Sequence, residues 1–175
     1  MHTPIIAVTM TIGIIGAGNV GGTLGTGWAK KGHSILFGVP DLSSPSVKAA
    51  LERAGASAKA GSVADAGACE VVVLATPWEA TQSAIQNAGN LTGKVVLDCT
   101  NPLLPDLSGL ALGTTTSGGE QVAGWESETI LLSKAVDGSL ILKRSNSAVG
   151  VTGGVIPVIA NETVSWSRFA ILKSN

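Results

Sequence analysis

Residues 16–21 read Gly16-Ala17-Gly18-Asn19-Val20-Gly21, a GxGxxG spacing. The chemistry such a run offers is anion binding by backbone. Gly16 permits a tight turn, Gly18 carries no side chain to hold a pyrophosphate away, and Gly21 permits a helix to pack close to a sheet. If a helix starts at Asn19, its unpaired N–H groups and partial positive charge face the phosphates. Asn19 and Val20, at the entry of that helix, complete the candidate phosphate contacts.

Two further segments carry residue types suited to the rest of a dinucleotide. Thr76-Pro77-Trp78 and Asn101-Pro102 each come after an apolar run. Their prolines turn the chain rigidly out of a strand, while the Thr76 hydroxyl and Asn101 amide suit a ribose or a carboxamide. Trp78 is a candidate cover for a bound ring, or simply packing in a helix's first turn. Plain turn chemistry accounts for the other four residues equally well.

The nucleotide choice falls after the next strand, where Gly38-Val39-Pro40 precedes the first acid, Asp41. NAD-binding folds usually place an acid there for the ribose hydroxyls. Without it a 2′-phosphate meets no repulsion, which leans toward NADP, with NAD as the alternative. No arginine adjoins to bind that phosphate. Ser43, Ser44 and Lys48 are candidate substitutes, or merely the solvated start of the next helix. With only His2 and His33 the chain offers no credible Ser-His-Asp set. Hydride transfer needs none, because position and electrostatics suffice.

The elements that would position these residues can be read from the pattern. Residues 11–15 (TIGII) predict a buried strand and 19–31 a helix with Val20, Leu24 and Trp28 on one side. That helix ends in two lysines and Gly32. Residues 34–38 predict a second strand, 45–54 a helix with proline in its first turn, and 62–68 a short helix opened by a capping box. Residues 70–76 and 94–100 predict strands covered on both faces, with a helix at 77–88 between them. Alternation of this kind implies an α/β fold, a Rossmann-type doubly wound parallel sheet. A loop at 103–119, a helix at 119–125 and a strand at 129–136 are expected next. From residue 140 onward the runs LIL, AVGV and VIPVIA suggest short strands or irregular structure. The division expected is 1–137 as an NAD(P)-binding domain and 138–175 as an atypical short C-terminal segment.

Composition narrows the classes. The 175 residues are 45% hydrophobic, 13% charged and 3% aromatic, with 23 glycines, which suits close helix-on-sheet packing. A net charge of -1 without a basic block argues against nucleic acid as a partner. The longest apolar run falls short of the ~20 residues of a membrane span. Residues 1–10 lack the basic leader and cleavage site of a signal peptide, and Met10 is a second candidate start. Cys69 and Cys99 are expected to be buried reduced thiols, not metal ligands, in keeping with a cytoplasmic protein.

With TIGIIGAGNVGGTLG, GHSILFG, VVVLATPWEAT, GKVVLDCTNPL and SGGEQVAGW in this order, residues 11–125 resemble the NADP-dependent reductases of the deazaflavin coenzyme F420 and their bacterial dinucleotide-binding relatives. The resemblance implies that the glycine loop holds the pyrophosphate of NADP and that Thr76-Pro77 and Asn101-Pro102 line the nicotinamide side. It implies an oxidoreductase passing hydride directly between nicotinamide and a small acceptor, a deazaflavin, flavin or quinone-like molecule, in a homodimer. The family commonly has Ser-Arg or Val-Arg where Val39-Pro40 stands, so the residue that would grip the 2′-phosphate is absent. Residues 134–137 (KAVD) echo the family's next strand faintly, and 138–175 match nothing in it. The alternative reading is therefore a non-catalytic dinucleotide-binding or sensing domain whose acceptor site is lost with the atypical C-terminus.

Overall fold

A computed structural model describes residues 9–112, 116–125, 130–134, 140–144 and 156–157. Residues 1–8, the run AVGV and the rest of the C-terminal segment lie outside these.

Strand β1 (Thr11–Ile15) leads into helix α1 (Asn19–Lys30), then β2 (Ser34–Gly38) and α2 (Pro45–Ala54). These elements begin where the sequence places them. The connection to β4 contains a short strand the residue pattern does not announce, β3 (Ala58–Gly61), and after it α3 (Val63–Gly67). The sequence of β3, AKAG, has no β-branched or aromatic residue. Pairing with Ile35–Gly38 of β2 makes it a strand nonetheless. Next come β4 (Val71–Leu74), α4 (Trp78–Ala88), β5 (Val95–Asp98), α5 (Gly118–Trp125) and β6 (Ile130–Lys134).

These six strands are parallel in the order β3-β2-β1-β4-β5-β6. The chain starts in the middle and winds first one way and then the other, the doubly wound arrangement expected. Strands β7 (Leu140–Arg144) and β8 (Ile156–Pro157) then extend the same sheet antiparallel. The sequence predicts short strands in this region but not that they would continue the sheet.

Alternation divides the sheet between two cores. Ile12, Ile14, Phe37 and Val73 face α1 and α2, where Trp28, Val47 and Ala50 cover them. Ile15, Val72, Leu74 and Val96 face the side of α3, α4 and α5, with Ala66, Ile85 and Val122. Strand β4 is buried on both faces, as predicted. Strand β5 is not: Val96 is buried while Val95 and Leu97 on the opposite face are half-covered. The helices described on that face, α1 and α2, pack over β1, β2 and β3 and leave β5 at their margin.

Helix α3 approaches the sheet so closely that a β-carbon on Gly13 would overlap the Ala66 carbonyl oxygen. A β-carbon on Gly38 would stand 2.5 Å from Ala66 Cβ. This helix carries the chain back across to β4 and so reverses the winding. No described helix is long and apolar enough to cross a membrane.

Candidate nucleotide site

Reversal of winding opens a crevice at the carboxyl ends of β1 and β4, the place where such sheets hold ligands. The strand ends are tied together there. The Gly16 N–H donates to the Gly38 carbonyl at 3.0 Å, Ala75 N–H to Ile15 O at 2.9 Å, and Cys99 N–H to Leu74 O at 2.9 Å. Gly16 has φ +105°, and a β-carbon on it would lie 2.5 Å from Ala75 O. Glycine is thus required both by conformation and by the neighbouring strand.

From Gly16 the chain turns into α1, whose N-cap is Gly18. No side chain caps this helix and no acid stands in its first turn. Helix α2 shares both features, whereas α3 and α5 do not. At α3 the Ser62 Oγ accepts from Asp65 N at 3.1 Å, and Asp65 Oδ2 accepts from Ser62 N at 2.8 Å. Ahead of α5, Ser117 and Glu120 exchange the same pair of bonds at 3.0 and 3.2 Å. Two helices thus receive a carboxylate from their own sequence, whereas α1 leaves its amide dipoles for an external anion.

The glycines of the motif divide between scaffold and site. A β-carbon on Gly21 would overlap the Gly16 carbonyl oxygen and sit 3.1 Å from Ile14 Cγ2, so Gly21 serves packing. A β-carbon on Gly18 would meet nothing within 4 Å. The space a side chain would take there lies in a cleft of about 470 Å³. Ala17, Gly18 and Asn19 form one wall, and Ser46, Ala49 and Arg53 of α2 the other. That volume is within the range of small-molecule sites. Val20 is exposed beside it.

At the end of β2, Gly38 and Val39 are buried, the latter in the core beneath α1 and α2. Val39 therefore faces a ligand with backbone at most. Asp41 is turned into its own loop, accepting from Ser43 N at 2.8 Å and Ser43 Oγ at 2.6 Å. These bonds, with Lys48 nearby, hold its carboxyl below the usual range. Ser44 Oγ pairs with Ser46 Oγ at 2.9 Å. Two of the three residues suggested by sequence as phosphate partners, Ser43 and Ser44, are thus engaged locally.

On the other side of Gly16, outside the cleft, stand Thr76, Pro77, Trp78, Asn101 and Pro102. Thr81 Oγ1 donates to the Pro77 carbonyl at 3.0 Å, so the 2.9 Å bond between Thr76 and Thr81 takes its proton from Thr76. The outward lone pairs of Thr76 remain able to accept. Asn101 is exposed, and its side-chain amide makes no hydrogen bond among the described residues. The turn bearing it is set by buried Asp98, which accepts from Thr100 N at 2.9 Å and Thr100 Oγ1 at 2.6 Å. Trp78 packs against Trp125 with ring centroids 5.5 Å apart. Beside them, a β-carbon on Gly118 would lie 3.2 Å from the Pro102 ring and 3.4 Å from Trp78. Helix α5 thus bears on both the Trp78 and Pro102 segments.

Both cysteines are free and half-buried, more open than expected. Burial, then the charge of Asp98, pushes the Cys99 thiol up to about 11. Among the described residues no group of three or more metal-ligating side chains occurs. Sequence reading missed Asp98 and Arg53. The signal for Arg53 was its place seven residues beyond Ser46 and one turn beyond the buried Ala50, at the border of the packed face of α2.

Residues 11–102 match a family model described as NADP oxidoreductase coenzyme F420-dependent. No functionally curated protein matches the chain in sequence. Among solved structures, a protein of Arthrobacter sp. FB24 described as a candidate F420-dependent NADP-reductase is 25% identical, with a TM-score of 0.65. That likeness covers 79% of this chain and 75% of the other. A hypothetical protein of Sinorhizobium meliloti (24% identity, TM-score 0.62) is covered to 60% by 72% of this chain, and shows the shared fold. A reductive aminase of Aspergillus terreus in complex with NADPH shares the fold at 19% identity and a TM-score of 0.51, over 72% of this chain and 40% of its own. The matched segment contains the glycine loop, the β4 end and the Asn101-Pro102 turn. The chain belongs to the F420-dependent NADP oxidoreductase family, a family of NAD(P)-dependent oxidoreductases.

Proposed function

We propose that the protein passes a hydride between NADP(H) and a small deazaflavin, flavin or quinone-like acceptor. The observation that carries the nucleotide half of this reading is the uncapped N-terminus of α1, opening beside Gly18 onto the cleft. A β-carbon on Gly18 would meet nothing within 4 Å, which leaves room for a pyrophosphate against the helix end. Gly18, Asn19 and Val20 would hold it by backbone, with Gly16 and Gly21 keeping the turn and the helix packed behind them and Gly38 and Val39 beside Gly16 at the end of β2. Thr76 and Asn101 would orient the carboxamide by accepting and exchanging hydrogen bonds, and Pro77 and Pro102 fix their turns. Trp78 would close this end through its packing with α5.

Bound NADPH supplies the hydride, and the acceptor takes it up with a proton from water. Among the described residues no side chain at the crevice is placed as an acid or base, so their contribution is alignment and exclusion of solvent. We assign residues 1–137 as the nucleotide-binding unit, with 138–175 as the segment that would complete the acceptor side. A cytoplasmic homodimer is the form proposed, and sedimentation tests the dimer.

Titration of the purified protein with NADPH and NADH, monitored by nicotinamide fluorescence, tests the binding half. Oxidation of NADPH by a deazaflavin, flavin or quinone tests the rest. Binding without turnover across all three acceptor classes would replace this reading by that of a non-catalytic dinucleotide-binding domain.

A further inference from the structure

The cleft beside Gly18 contains a cation that the nucleotide motif does not account for. Arg53 rises from the last turn of α2, and its Nε donates to the Ala49 carbonyl at 3.2 Å. Among the described residues that is the one hydrogen bond of its guanidinium, and no acid pairs with it. The group rests against α1 at Gly22. A β-carbon at Gly22 would come 2.6 Å from Arg53 Nη2, while its other neighbours, Ala17 O and Ala50 Cβ, would stand at an ordinary 3.5 Å. Gly22 is outside the GxGxxG spacing. Its missing side chain provides the seat on which the guanidinium lies.

We propose that Arg53 is the residue that recognises the adenosine 2′-phosphate, taking over from α2 a task that Val39-Pro40 cannot perform. The proposal rests on the reading of the site as one for NADP(H). Three placements support it. Arg53 lines a cleft whose opposite wall includes Gly18 and Asn19. The cleft lies between α1 and α2, and α2 is the helix that follows β2, at whose end the adenosine ribose of such folds is held. Finally, Ser43 and Ser44 are occupied by hydrogen bonds to their own neighbours, and Lys48 is not among the residues that line the cleft. A planar guanidinium offers paired N–H donors to a phosphate, which an ammonium does not. Glu52 also lines the cleft and opposes an anion there, so directed hydrogen bonds and not net charge must carry the recognition.

The test is fluorescence titration of the full chain and of Arg53→Ala and Gly22→Ala with NADPH and with NADH. Thermal unfolding on the same samples checks the fold. Arg53→Ala is expected to weaken NADPH by about 10- to 100-fold. Binding of NADH, which lacks the 2′-phosphate, should stay within about threefold. Gly22→Ala keeps the charge but fills its seat, and should lower the NADPH-to-NADH ratio in the same direction. An unchanged ratio in Arg53→Ala, or equal loss of both nucleotides, overturns the proposal while leaving the nucleotide site standing. If the parent chain binds neither nucleotide, both the site reading and the proposal fall.

Discussion

Substituting Gly18 by valine separates the nucleotide site from the scaffold. A β-carbon at this position meets nothing within 4 Å, and its φ of −73° and ψ of −159° are open to any residue. The cost to the fold is therefore confined to helix capping, where valine is poorer than glycine by about 1 kcal/mol. For a chain of this length that lowers Tm by roughly 2–4 °C. Binding should suffer far more. The branched side chain occupies the cleft in front of the α1 amides, and each charge-assisted hydrogen bond forfeited costs about 1.5–3 kcal/mol, or about 10- to 150-fold in Kd. Gly21→Ala supplies the contrast. Its β-carbon would overlap the Gly16 carbonyl oxygen, a backbone atom that cannot swing aside. Overpacking of about 3 kcal/mol, offset by about 1 kcal/mol of helix propensity, leaves a net loss of about 2 kcal/mol and a Tm lower by about 4–8 °C. NADPH titration and thermal scans on both variants decide the matter. The reasoning fails if Gly18→Val binds NADPH within about threefold of the parent, or if it unfolds below Gly21→Ala.

The same geometry sets other expectations. Pro40→Arg restores a cation at the end of β2 and should raise the NADPH-to-NADH affinity ratio, and a ratio unmoved in titration would show that the loop no longer reaches the phosphate. Ser62→Ala removes the cap of α3 and should cost about 1 kcal/mol in denaturant unfolding. Asp65 is held below the ordinary 3.8 by the Ser62 hydroxyl and N–H, so its contribution is whole above that value and lost as pH falls through the lower one. Asp65→Asn should accordingly flatten the acid limb of the stability curve, and an unaltered limb would contradict this assignment. With its thiol near 11, Cys99 is thiolate in about one molecule per thousand at pH 8. In a Cys69→Ser background it should react with a thiol reagent far more slowly than a free thiol, and rapid labelling would refute its burial.

Local signals carried most of the fold. Helix α1 ends at its lysines and Gly32, and α2 starts at Pro45, because those residues act through the chain next to them. Strand β3 was hidden because AKAG becomes a strand only through β2, a partner over twenty residues away. The half-covered face of β5 was hidden for a related reason: VVLD cannot disclose which helices lie over it. At the site, Gly16, Gly18 and Gly21 were legible as a motif, but their division between packing and opening depends on Ala75, Ile14 and empty space. Arg53 was illegible as a site residue because a helical arginine reads as a solvated flank until α1 is set against it.

The stacking of Trp78 on Trp125 has an optical consequence. Two indoles with centroids 5.5 Å apart and planes inclined by 31° share their excited states. Their joint circular dichroism should contain a signed couplet that neither ring produces alone. One tryptophan opens α4 just after the Pro77 turn and the other ends α5. The couplet therefore measures the seating of α5 over the Pro102 turn, and gives the protein an intrinsic gauge of that end of the crevice without any added label.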